Sequence, residues 1–151
     1  MINAANLLTK DVPYYMFSLV DSELADPVQI VSWSDRLIEY TDNPPAWLCE
    51  ISLCKNNAQI ARILKETIKS SRSAQPPKDL ELFYLACLYR RYETKSIGWY
   101  SFLSQSYCYL LFEDSELRTA ASSLLDEYEK YDTESYAEYY AENRTKQQFL
   151  K

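Results

Sequence analysis

The chain has 151 residues, 47% apolar and 15% aromatic, with a formal net charge of −6. That length suits one domain around one core, and so high an aromatic content excludes a disordered chain. One glycine, Gly98, and no histidine exclude hairpin-rich β architectures, glycine-rich phosphate loops and imidazole-based catalysis.

Read in chain order, the first element follows Asp11-Val12-Pro13, where YYMFSLVDSEL predicts a short helix. Asp26-Pro27 is a cap followed by proline at the first helical position. After it, Val28, Ile30, Val31, Trp33, Leu37, Ile38 and Tyr40 predict an apolar face to about residue 41. Asn43-Pro44-Pro45 interrupts the chain, and AWLCEISLC predicts a third helix over 46–54 with Trp47 as the anchor that docks it. Asn56-Asn57 breaks it again. A fourth helix follows, with Ile60, Ile63, Leu64 and Ile68 at helical spacing.

Residues 70–79, SSRSAQPPKD, form the longest polar stretch and read as a mobile loop. Two segments that are apolar on most faces come next, about 79–93 and 97–112, and predict a central helical hairpin. Leu82, Phe83, Leu85, Phe102, Leu103 and Leu110 are its expected core residues. Asp114 is the expected cap of an amphipathic helix whose inner face is Leu117, Ala120, Ala121, Leu124, Leu125 and Tyr128. On its outer face Asp126 and Lys130 pair at i, i+4. Thr133-Glu134 restarts a last helix that frays near Lys151. The expected fold is all-α: one domain over 1–151, a helical bundle of about seven to eight helices.

The chemistry this composition permits is narrow. Without histidine, a catalytic site would rest on carboxylate, lysine, tyrosine or a thiol activated without imidazole. No catalytic residue is therefore assigned, and the chain is not expected to be an enzyme. Cys49, Cys54, Cys87 and Cys108 form no C-x-x-C pair, and each lies in an apolar run. They read as reduced, structural thiols. Cys49 and Cys54 stand about 140° apart on a helix, so no metal site is expected, nor any cofactor. The N-terminal MINAANLLTKDVP has no basic segment leading into a long apolar run, so the expected location is cytoplasmic. No window is apolar enough to span a membrane. The basic run Arg62, Lys65, Lys69, Arg72 and Lys78 reads as a solvated helix end, against the alternative of an anion patch.

The charge imbalance has one address. Residues 126–143 hold seven acids and one base, which accounts for the whole net charge of −6. A phosphate backbone would be repelled there, so no nucleic acid is expected as a partner. A basic protein would be attracted. The segment also carries five tyrosines, which give large contact area at small entropic cost. The expected partner-binding residues are Asp126, Glu127, Glu129, Asp132, Glu134, Tyr136, Glu138, Tyr139, Tyr140 and Glu142. Glu134, Glu138 and Glu142, spaced by four, would form one acidic ridge on a helix. The competing reading is that Tyr136, Tyr139 and Tyr140 only dock the last helix on the body.

Residues 26–56, DPVQIVSWSDRLIEYTDNPPAWLCEISLCKN, carry a W-[AS]-D…I…P-P-x-W-L-x-E-[IL]-S pattern at Trp33, Ser34, Asp35, Ile38, Pro44, Pro45, Trp47, Leu48, Glu50, Ile51 and Ser52. The pattern resembles that of small all-helical bacterial proteins of the toxin-immunity type, including contact-dependent inhibition systems. The resemblance covers about a fifth of the chain and carries over no catalytic residue. It implies a protein that neutralises a cognate toxin by direct occlusion. Joined to the acidic segment, it points to a basic, nuclease-type toxin domain as the partner. The alternative is a small helical regulatory or adaptor protein with no toxin.

Overall fold

The computed structural model describes residues 10–71, 75–110, 116–131 and 137–150, except for the side chains of 130, 131 and 137–141. Eight helices and no strand occur among the described residues. They are α1 (Val12–Asp21), α2 (Pro27–Glu39), α3 (Ala46–Ile51), α4 (Asn57–Ser70), α5 (Leu80–Glu93), α6 (Trp99–Leu110), α7 (Glu116–Tyr131) and α8 (Ala137–Phe149). The all-α expectation is met. The chain groups into two compact units, Met1–Cys87 and Leu88–Lys151, and the division falls inside α5.

In the first unit the helix starts follow their local chemistry. Asp26 accepts from the Gln29 amide at 2.8 Å, and the Gln29 side chain accepts from the Asp26 amide at 3.0 Å. This capping box, with Pro27 behind it, sets the start of α2. Asn56 does the same for α4, accepting from the Gln59 amide at 3.0 Å. Replacing Asp26 with alanine orphans that amide and should cost about 0.5–2 kcal/mol. Urea unfolding would read the loss, and an unchanged midpoint would remove the cap from the argument.

The third helix is shorter than 46–54. It ends at Ile51 because the amides of Leu53 and Cys54 turn back to the carbonyls of Glu50 and Ile51 at 3.2 and 2.9 Å. These i→i−3 bonds tighten the last turn. Leu53 consequently lies outside the helix and is 81% exposed. The core of this unit is Met16, Val20, Ile30, Ile51, Ile60, Ile63 and Leu64, with Trp33 and Trp47 packed against it half-buried. Neighbouring helices meet as α1 with α4, α2 with α3 and α3 with α4. Near the start of α5, Tyr15 donates to Asp79 at 2.6 Å and its ring meets Phe83 edge-on at 4.9 Å.

The second unit packs α6 against α7 and α7 against α8. On α6 the buried stripe is Trp99, Phe102, Leu103, Ser106 and Leu110; on α7 it is Ala121, Leu124 and Tyr128. Besides Leu53, four expected apolar positions are corrected, of which Val28 and Tyr40, at the two ends of α2, are 76% and 77% exposed. Leu82 is 58% exposed, because α5 buries Tyr84, Cys87 and Leu88 and Leu82 stands about 160° from Tyr84 on the helical wheel. Ala120 is exposed, one helical step of about 100° off the Ala121-Leu124-Tyr128 stripe. Phe83 and Leu85 are half-buried. Asp114, Thr133 and Glu134, the expected helix-start residues, lie outside the described residues, as does Arg72 in the 70–79 loop.

Candidate functional site

The acidic segment divides into engaged and open carboxylates. Asp126 and Glu129 are exposed, near the C-terminal end of α7. Glu127, one residue from Asp126, is instead half-buried and bound by Arg144 of α8 at 2.9 Å. Tyr128 turns inward, 5% exposed, with its ring 5.6 Å from that of Tyr100. One tyrosine of the segment thus serves packing while Asp126 and Glu129 carry charge outward. Asp132, Glu134 and Tyr136 lie outside the described residues. Glu138, Tyr139 and Tyr140 sit on α8 with side chains that are not described.

Glu142 has a partner that its spacing does not reveal. Its Oε1 accepts a hydrogen bond from the Tyr92 hydroxyl, at the C-terminal end of α5. The Lys146 ammonium donates to the same hydroxyl at 3.0 Å and lies 4.9 Å from the centre of the Tyr92 ring. The three groups form a relay in which a neutral phenol donates a hydrogen bond to a carboxylate and accepts one from an ammonium. Below it, Trp99 Nε1 donates to the buried Thr145 hydroxyl. Around it, the Tyr89 and Trp99 rings both pack on Phe102 and Phe149, with centroids 5.0 to 5.9 Å apart.

The titrations follow from that geometry. Tyr92 is raised above its ordinary 10.0, first by desolvation, then by the bond to Glu142, with Lys146 pulling the other way. Lys146 is raised above 10.5, first by its bond to Tyr92. Both groups therefore hold their protons through neutral pH, so neither supplies a base or nucleophile there. Since both folded values exceed the unfolded ones, the stability that the raised Tyr92 and Lys146 contribute is fully present below pH 10.0. It is lost as the pH rises through the folded values. Wild-type protein should be more stable than Tyr92→Phe near neutral pH, and the gap should close at alkaline pH. Urea midpoints across that range are the check; a gap that widens with pH would reverse the assignment.

Beside the relay lies an open cavity of about 640 Å³, lined by Tyr89, Tyr92, Lys95, Gly98, Glu142 and Lys146 among others. All four cysteines are unpaired, and burial pushes the Cys54 and Cys87 thiols up, away from thiolate. No cluster of three potential metal ligands occurs among the described residues. No described helix is long and apolar enough to cross a membrane.

Of the basic run, Arg62, Lys65 and Lys69 are exposed on one face of α4, at i, i+3, i+7 spacing, and Lys65 lies over the Phe17 ring at 5.1 Å. Of the residues that carry the sequence pattern of 26–56, Asp35 and Glu50 are exposed and others serve the fold. Leu48 and Ile51 are buried, and Ser52 Oγ donates to the Cys49 carbonyl at 2.9 Å. Compared with protein-family models, with curated proteins and with solved structures, the chain matches none.

Proposed function

We propose that this protein acts by binding another protein, as an immunity protein that neutralises a cognate bacterial toxin through direct occlusion. The partner is a basic, nuclease-type domain. The observation that carries this reading is the exposure of Asp126 and Glu129 within the segment that holds the chain's entire net charge. Two open carboxylates on a helix oppose the Arg and Lys that line a nuclease's substrate groove. They would stand where phosphates otherwise bind. The inward Tyr128 anchors α7, so the charges are presented from a packed helix.

Growth rescue tests it. The protein is co-expressed with the C-terminal domain encoded by the adjacent large gene. Restored growth, with the two chains co-purifying, is the expected result. Undiminished toxicity in cells that contain the soluble protein would sink the reading. Stable capture of a non-toxic partner would replace it with an adaptor role.

A further inference from the structure

The cavity of about 640 Å³ in the second unit is independent of Asp126 and Glu129. Its volume falls in the range of small-molecule sites. Half-buried Tyr89, Tyr92 and Ile97 give it apolar walls. Its two carboxylates are already engaged: Glu142 accepts from Tyr92, and Glu93 is held by Arg90 at 3.2 Å. Its two ammoniums are not used up. Lys146 donates one hydrogen bond, to Tyr92, and Lys95 has no ion-pair partner among the described residues. The lining thus sets two ammoniums against two carboxylates, and Arg90, outside the lining, takes up the charge of Glu93.

Two backbone features agree. Lys95 takes a φ of 59°, the left-handed position after a helix that glycine normally fills. Its amide bonds to the Tyr92 carbonyl and that of Ser96 to the Arg91 carbonyl, both at 2.9 Å. The chain's one glycine is at Gly98 instead, on the cavity wall, with open space where a Cβ would stand. It has no positive φ to account for it. A bare backbone there leaves room for a ligand to approach the first turn of α6.

We propose that this cavity binds a small organic anion in which a planar ring carries a phosphate or carboxylate group. The anionic group meets Lys95 and Lys146, and the ring lies against Tyr89 and the Ile97 side of the wall. The Lys95 ammonium, without an ion-pair partner among the described residues, favours an anion over a cation there. The site does not rest on the immunity reading.

The single glycine makes the test direct. Selective glycine ¹⁵N labelling gives one amide signal, on the cavity wall. The full chain is titrated with a nucleoside monophosphate, the uncharged nucleoside, inorganic phosphate and benzoate. A saturable Gly98 shift is expected with the nucleotide or with benzoate, at lower concentration than with nucleoside or phosphate alone. Lys95→Asn keeps a residue that tolerates the left-handed region while removing the charge. It should weaken binding about tenfold, as for loss of a hydrogen bond to a charged group. No saturable shift with any ring-bearing anion would overturn the proposal. Equal binding by the nucleoside, by inorganic phosphate alone, or by Lys95→Asn would do the same.

Discussion

Replacing Phe102 with alanine is expected to lower the unfolding free energy by about 3–5 kcal/mol. Phe102 is 1% exposed on α6. Its ring packs on those of Tyr89, Trp99 and Phe149, with centroids 5.9, 5.0 and 5.3 Å away. These contacts draw on α5, α6 and the end of α8, so the cavity left by truncation has no single neighbour that can collapse into it. Edge-to-face and offset ring pairs add a further ~0.5–1.5 kcal/mol each beyond area burial. Urea unfolding followed by circular dichroism gives the number. A loss below ~1 kcal/mol, within the ordinary scatter of point substitutions, would mean that the aromatic cluster does not organise the second unit. Leu85→Ala should cost less than Phe102→Ala, since Leu85 is only half-buried.

Where the sequence was a good guide, short-range chemistry decided the outcome. Asp26 with Pro27, and Asn56 with Gln59, place helix starts because the orphan amides lie within three residues of their caps. Phe102, Leu103 and Leu110 were legible as core because the periodicity of α6 leaves one continuous apolar stripe. On α5 the same logic fails. Its segment is apolar on several faces, so composition does not say which face is covered, and Leu82 proves to be exposed. The end of α3 was overrun for a related reason: Leu53 and Cys54 look helical, yet their amides close on i−3 carbonyls.

The site was less legible than the fold. The charge of 126–143 is plain in the sequence, but the partners of Glu127 and Glu142 are not. Arg144 is 17 positions beyond Glu127, and Tyr92 is 50 positions from Glu142. Neither pairing falls within the i, i+4 reach that sequence spacing exposes. Nothing in the sequence marked the cavity, since its glycine, Gly98, fell within the expected helix of 97–112.

Reversing both Asp126 and Glu129 to lysine is expected to weaken binding to a basic toxin domain by several kcal/mol. Close interfacial charge pairs lose roughly 2–5 kcal/mol when one partner is truncated. The melting temperature should stay nearly unchanged, because both carboxylates are exposed on a helix held by Tyr128 and Leu124. Glu142 would make a misleading control: at that position lysine removes the acceptor of the Tyr92 hydroxyl and sets a like charge near Lys146. Its reversal should lower stability and leave the meaning of any lost affinity ambiguous. Glu127→Lys would likewise break the pair with Arg144. The double reversal avoids both faults. Wild-type association should also slow as salt rises past about 0.15 M, where screening acts over roughly 8 Å. Calorimetric titration at two salt concentrations separates the outcomes. Unchanged affinity in a well-folded double reversal would make Asp126 and Glu129 a plain solvated face, and occlusion would then have to come from another surface.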